Sequence, residues 1–449
     1  MHYDLIVIGM GLSGLTAAKT AAESGQRVLI VGKGMGSLSL FSNTIDVLGF
    51  PPLMEPKTIK MEPHKQAPDV EPRVRRGEHP VPEGQFTRGQ VSGPLGTGMK
   101  DGLSQWIKEH PEHPYSKVSL EKIEEAFSSF LSLFPPPYSF QTIANMNCLL
   151  PTGAGTLRPT YLIPMTMIGG ASVNEGNTLI VGFKGFKDFY THYVADQLKY
   201  RGITLSFPDV LHQDMTATAL ARLMEKKPFR ENIGWEIKKQ LHGESRVGFP
   251  ALLGMHDPIL VKENLEEIIG AKVFEIPILP PSIPGIRIFN RFKEWLIQKG
   301  VTFLLGYSVS KATLKGKRCE RIEVRHPPVI TSYSADRYIL ATGRFIGGGL
   351  KANDEKIFEP IFNLPLSQPP SREGWFRNSF FSDLPHPIYQ SGILIDSSFR
   401  PVDEREELIL ENVRVAGSIL AHHHSIDEKS REGIEIATGY WAVKQALGT

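Results

Sequence analysis

Cysteine is nearly missing from this chain: Cys148 and Cys319 are the only two in 449 residues, and they lie far apart. That excludes a disulfide scaffold, an intrinsic iron–sulfur cluster and a cysteine-based zinc site. Long apolar runs are missing too, since none reaches the roughly 18 to 20 residues of a membrane span. Neither sign of charge dominates. Fifty Lys and Arg stand against 48 Asp and Glu, which leaves no basic face to argue for nucleic acid. What is present is the apolar fraction of an ordinary soluble enzyme, 41%, on a chain long enough for two domains. No leader is expected ahead of Tyr3, where the fold begins. The expectation is a cytoplasmic chain that either stays free or attaches peripherally to the inner face of a membrane through a partner.

The stretch that organises the chain is its first strand, turn and helix. Asp4 to Ile8 is an apolar, β-branched run, and Gly9-Met10-Gly11-Leu12-Ser13-Gly14 follows at once. Leu15 to Ser24 has the Ala-rich composition of a helix packed tightly on a sheet; Gly25 ends it, and Val28 to Val31 reads as the next parallel strand. In this context G-x-G-x-x-G marks a phosphate-binding βαβ unit. Gly9 serves the tight turn, Gly11 lets a phosphate approach the backbone, and Gly14 lets helix and strand pack. Leu12 and Ser13 open the helix whose N-terminus meets the anion. The acid that should end the second strand and hold an adenosine ribose is absent, for Gly32, Lys33 and Gly34 stand there. Either the ribose is held some other way, or there is no adenosine half.

The chain in order divides as follows: residues 1–50, the first part of the nucleotide- or flavin-binding domain; 51–102, a Pro/Gly-rich and largely irregular insertion; 103–300, mainly a substrate-side or cap domain; 301–350, the second part of the flavin domain; 351–390, a substrate-side or lid segment; and 391–449, its C-terminal part. Gly34 to Ser42 is either a loop that closes over a cofactor or a plain surface loop. In the insertion, Arg73, Arg75 and Arg76 lie close together in a segment with almost no apolar periodicity. His110 and His113 are three apart, but the intervening prolines spoil a helical ligand pair, so no metal is expected. The spacing predicts helices over Leu103–His110 and Leu120–Leu133, then strands and helices in alternation from Thr178 to Ile278.

Further on, three prolines hold Leu279 to Pro284 extended, and a helix is expected from Gly285 to Lys299. Val309 to Leu314, Cys319 to His326 and Val329 to Ser334 suggest a meander, and a further strand from Asp336 to Leu340 runs into Ala341-Thr342-Gly343, small residues beside which a cofactor can pass, followed by Arg344 and the triplet Gly347-Gly348-Gly349. The last core strand ends in Ala416-Gly417-Ser418. Flavoproteins of this architecture usually carry an acid after that glycine to hold the ribityl hydroxyls, and Ser418 is a weaker substitute. Arg431-Glu432-Gly433-Ile434 opens a closing helix whose first turn faces a flavin ring. Arg158, Arg287, Arg344 and Arg431 each sit beside a Gly- or Pro-set turn, and at least two are expected at the site. Arg287 early in its helix opposes the dipole, so it meets either a ligand phosphate or a carboxylate of the protein. Of His422, His423 and His424, neighbours that cannot all face one point, either one accepts a proton near a flavin or all are exposed loop residues.

Together, Gly9-x-Gly11-x-x-Gly14, His113-Pro114-Tyr115-Ser116, Thr156-Leu157-Arg158, Pro280-Pro281-Ser282-Ile283-Pro284-Gly285-Ile286-Arg287, Ala341-Thr342-Gly343-Arg344-Phe345 with Gly347-Gly348-Gly349, and Glu359-Pro360-Ile361 resemble the B subunit of the anaerobic glycerol-3-phosphate dehydrogenases. The likeness spans nearly the whole chain outside Pro51 to Gly102. It implies an α/β, Rossmann-like flavoprotein of the FAD/NAD(P)-binding type with an inserted α+β substrate-side domain. It also implies oxidation of glycerol 3-phosphate to dihydroxyacetone phosphate, an FAD-bearing A subunit as partner, and a membrane-associated Fe–S C subunit passing electrons toward quinone. The B subunit is usually assigned FMN, which suits the missing acid at Gly32; FAD is the alternative. Carried onto this chain, the cofactor would rest on Gly9, Gly11, Leu12, Ser13, Gly14, Gly32, Lys33, Ser42, Ala341, Thr342, Gly343, Gly417, Ser418, Gly433 and Ile434. The substrate phosphate would meet Arg158 and Arg287, and His422, His423 and Arg344 would serve catalysis. The chain departs from the family at His422–His424 and Glu435, where its relatives are glycine-rich. Other readings are a non-catalytic electron-transfer or assembly subunit and a stand-alone FAD- or NAD-dependent dehydrogenase of another hydroxy acid.

Overall fold

The computed structural model describes residues 1–49, 98–171, 177–206, 215–380 and 384–449. The expected excursion over 51–102, with its three arginines, lies outside these apart from residues 98–102.

The opening strand His2–Ile8 becomes the middle of a seven-stranded sheet. On one side it pairs in parallel with Val28–Gly32, which pairs in turn with Thr302–Leu305; on the other it pairs in parallel with Val329–Leu340. Leu5, Ile6, Val7, Leu29 and Ile30 are completely buried, as expected for parallel strands covered on both faces. Val329–Leu340 is one strand of twelve residues where the sequence reading has two. Its first half pairs antiparallel with Arg318–His326, which pairs antiparallel with Ser308–Lys315. Its second half turns inward beside the opening strand, and the short strand Val413–Val415 adds on its far side. A single continuous strand thus joins the exposed meander to the buried sheet.

Two helices with small residues cover one face. The opening helix Leu12–Glu23 carries Ala17, Ala18 and Ala21, all buried, and the closing helix Arg431–Leu447 crosses it. A methyl at Gly439 would stand 2.5 Å from the Ser13 carbonyl, so only glycine permits this approach. Helices Met99–Glu109 and Leu120–Leu131 pack on this same core through Leu103, Ile123, Phe127 and Phe130, although they fall within the 103–300 stretch expected to be cap.

A second core is built on four parallel strands in the order Lys272–Ile276, Arg246–Pro250, Thr178–Phe183, Arg201–Leu205. Helices Thr191–Leu198, Ala217–Met224, Lys227–Lys239 and Pro258–Ile269 connect them. The last of these has no counterpart in the sequence reading, although Asp257-Pro258 and buried Val261, Leu265 and Ile269 mark its start and its face. Helix Ile283–Gln298 carries the chain back to the first sheet.

Candidate functional site

The glycine turn divides its residues between packing and openness. Gly9 has φ +120°, and a methyl there would lie 2.1 Å from the Ala341 carbonyl; one at Gly14 would lie 2.0 Å from the Gly9 carbonyl. These two glycines let the turn nest against the end of strand Val329–Leu340. Gly11 is different: a methyl on it would meet nothing within 4 Å. That open space, at the N-terminus of a helix with unfilled amides, is a cradle for a phosphate.

The cradle lies in a cavity of about 1000 Å³, at the upper end of the roughly 300 to 1,000 Å³ typical of small-molecule sites. Its lining includes Gly32, Lys33 and Gly34 with Tyr307, Val309 and Arg325, and also Ser13, Gly417, Ser418 and Glu435 with Phe41, Tyr389, His424 and Arg431.

Several polar side-chain atoms on this lining are buried and have no hydrogen-bond partner among the described residues: Ser13 Oγ, Thr342 Oγ1, His424 Nε2, Glu435 Oε2, Arg344 Nε, and both Nε and Nη1 of Arg431. Buried groups left unpaired carry a desolvation penalty of about 1 to 3 kcal/mol each, and their convergence on one cavity marks a ligand site. A phosphate cradle together with unpaired donors, acceptors and hydroxyl partners on one lining fits a flavin nucleotide.

Two arginines of the lining, Arg344 and Arg431, differ in how they are held. Arg344 clamps the chain: it donates to the carbonyls of Tyr389, Leu420 (2.7 Å) and His423 (3.0 Å), and to His423 Nδ1 (3.0 Å). Arg431 bonds Glu432 and stacks on Phe41, its guanidinium carbon 3.3 Å from the ring centre, with its other two nitrogens unpaired. Burial pushes both guanidinium groups down to about 10. An anion in the cavity would relieve that burden.

The histidines separate just as clearly. His424 lines the cavity; its Nδ1 lies 3.0 Å from the Asp427 carboxylate, and burial holds it below the ordinary imidazole range. His423 is fully buried behind the lining, accepting from Arg344, and His422 is half-buried at φ +60° beside Glu112. Behind His424, Glu428 accepts from its backbone amide at 2.6 Å and from His113 Nε2 at 3.2 Å, because His113 Nδ1 is taken by the Tyr115 amide.

Of the residues read from sequence, Gly9, Gly11, Ser13, Gly32, Lys33, Ala341, Thr342, Gly343, Arg344, Gly417 and Ser418 line the cavity. Leu12, Gly14, Ser42, Gly433, Ile434, His422, His423, Arg158 and Arg287 do not. Gly433 is small because Tyr115 Oη would stand 2.0 Å from a methyl there. Arg158 is paired with Asp46. Arg287 lies deep in the second core, two residues further into its helix than expected because that helix starts at Ile283; it holds Glu275 in a two-point ion pair at 2.8 Å and donates to the Gly254 carbonyl. Neither arginine is placed to take a substrate phosphate in this cavity. Sequence reading weighed the three histidines together but carried His422 and His423 forward instead of His424, named Glu435 only as a departure from the family, and passed over Tyr389 and the meander residues.

The family described as FAD binding domain matches residues 4–68 and 97–433, and the chain belongs to it: a flavoprotein of the FAD-dependent oxidoreductase class. Within that class, its curated relatives narrow the family. One from Halobacterium salinarum, named as the probable B subunit of an anaerobic glycerol-3-phosphate dehydrogenase, is 30% identical over 98% of this chain and 96% of its own length. Another from Vibrio cholerae, named as the B subunit of the anaerobic glycerol-3-phosphate dehydrogenase, is 27% identical over 100% and 97%. The chain is thus a member of the B-subunit family of these dehydrogenases. The family description speaks for FAD and gives no support to FMN as the first choice. Among solved structures, the 3-ketosteroid delta1-dehydrogenase from Sterolibacterium denitrificans aligns over 100% of both chains at 11% identity and a TM-score of 0.40. A flavocytochrome c3 fumarate reductase aligns over 99% of this chain and 79% of its own at 9% and 0.35. Likenesses this distant carry no argument about chemistry. Among the described residues no helix is long and apolar enough to cross a membrane.

Proposed function

We propose that this chain is the flavoprotein subunit of a glycerol-3-phosphate dehydrogenase and that it carries FAD. The reading rests on one observation above all: His424, with a buried and unpartnered Nε2, and Arg431, with two buried and unpartnered nitrogens, line the same cavity as the phosphate cradle. A hydroxyl on a carbon next to a phosphate-bearing carbon needs both. Arg431 supplies the cation for the phosphate, in the place first given to Arg158 and Arg287. His424, kept neutral by burial, has its Nδ1 between the Asp427 carboxylate at 3.0 Å and the Asp427 amide at 3.2 Å; in the tautomer that donates Nδ1–H to the carboxylate, Nε2 accepts the hydroxyl proton as the carbonyl forms. A bound flavin supplies the acceptor for the hydride that leaves the carbinol carbon. Arg344 holds Tyr389 and His423 in place and so keeps the wall beside His424 rigid.

For the cofactor, a cavity of about 1000 Å³ that takes in Tyr307, Val309 and Arg325 as well as Gly32, whose carbonyl accepts from the Tyr307 amide, favours a dinucleotide. The names of the relatives imply partner subunits, which we take to be an A subunit and an Fe–S subunit leading to quinone. The test is anaerobic addition of glycerol 3-phosphate to the purified full chain, alone and with its partners, followed by flavin absorbance. Bleaching by the substrate supports the reading. Bleaching by dithionite but never by glycerol 3-phosphate would assign the chain to electron transfer instead.

A further inference from the structure

The turn Ala416-Gly417-Ser418 lacks an acid, yet the structure places one beside it. Glu435, one turn into the closing helix, is 4% exposed, and its side chain lies against the turn: a methyl on Gly417 would stand 3.9 Å from Glu435 Cγ and 2.7 Å from Ser13 Cβ. Glu435 lines the cavity, and its Oε2 is buried with no partner among the described residues. It shares that lining with Ser13, at the phosphate cradle, and with Arg431 and His424. We propose that Glu435, delivered from the closing helix, replaces the acid missing at Ser418 and hydrogen-bonds the polyol chain that joins the flavin's phosphate to its ring. This rests on the flavoprotein reading and deepens it.

Three observations favour that role over a purely structural one. A carboxyl buried with one oxygen unpaired destabilises the empty protein, so packing alone does not account for it. The side chain lies against Gly417, which also touches Ser13 at the phosphate cradle. Burial pushes the carboxyl up, countered by Arg431 and by the Ser418 hydroxyl, and the unpaired Oε2 is left to accept from a ligand hydroxyl.

The assignment is tested on the full chain stripped of flavin and titrated with FAD, and with an FAD analogue whose ribityl is replaced by a plain pentyl chain. Glu435→Ala should weaken FAD binding about tenfold or more, the worth of a hydrogen bond to an ionisable group. It should change binding of the analogue less than about twofold. Ser418→Asp in the Glu435→Ala background should restore most of the lost affinity, and Glu435→Gln should fall between. The flavin-free variants should melt no lower than the wild type, which separates ligand contact from scaffolding. Equal losses for FAD and the analogue, or unchanged FAD binding in Glu435→Ala, would overturn the assignment while leaving the flavoprotein reading intact. A wild-type chain that binds neither FAD nor FMN would overturn both.

Discussion

Two buried arginines, Arg287 and Arg431, show how this molecule separates stability from chemistry. Each sits near the start of a long helix. Arg287 has every arm engaged, two on Glu275 and one on the Gly254 carbonyl, and Glu275 also accepts from the Leu253 amide. Although burial opposes ionisation of Glu275, Arg287 holds the carboxyl below its usual range. Arg431 is as deeply buried but leaves two nitrogens unpaired over a cavity. Satisfaction of the first locks the second core; lack of satisfaction of the second prepares a place for a ligand. The same contrast holds for the glycines, since a methyl on Gly248 would meet Ile276, Phe274 and Ile180 at 2.9 to 3.0 Å, whereas one on Gly11 meets nothing.

The sharpest way to break this comparison is at His424. His424→Ala should lower kcat about 10²- to 10⁴-fold while flavin content and melting temperature stay near wild type. A loss of less than fivefold would remove His424 as the proton acceptor. Next comes Glu275→Ala, which strands a buried cation and should lower unfolding free energy by about 3 to 5 kcal/mol in a denaturant titration. Flavin content per folded molecule should not change. Arg431→Met should do the reverse. Its KM for glycerol 3-phosphate should rise about tenfold to a hundredfold, the loss of one charged hydrogen-bond donor, with no fall in the stability of the flavin-free chain.

The smallest effect lies in pH. Burial keeps His424 and His423 below the ordinary 6.5. Turnover should therefore hold to below 6.5 and drop only as pH falls through the lowered value of His424. Unfolded imidazoles bind protons that the folded ones refuse, so this contribution to stability is present above 6.5 and is lost as pH falls toward the folded values. Glu435 acts with the opposite sign, because its carboxyl is raised above 4.5: its contribution is present below 4.5 and is lost as pH rises through the raised value. Glu435→Gln should remove the second trend and leave the first.

Much of the fold can be read from the sequence where local pattern and tertiary environment agree. The opening strand, glycine turn and Ala-rich helix stand where their composition places them, and Arg431–Leu447 is helical throughout. The long strand Val329–Leu340 looks like two because its burial changes midway, alternating on the meander and becoming continuous at Tyr338–Leu340 beside the opening strand. The second core resists reading for another reason. Its four strands pair in the order fourth, third, first, second, which no local signal encodes. At the site, the backbone-defined part was legible, since glycines announce close approach. Side chains contributed across the fold were not. Nothing in the local sequence separates Arg287 from Arg431, because the difference lies in Glu275, twelve residues away and on a strand. Likewise His424 differs from His423 only in which way the chain turns after His422, at φ +60°.

The most direct measurement is the mass of the small molecule released when the purified full-length chain is denatured. FAD, close to one per chain, is the expected result. FMN would contradict the dinucleotide reading of the cavity. No flavin at all would contradict the claim that the cradle at Gly11 and the unpaired Glu435 are there to receive one.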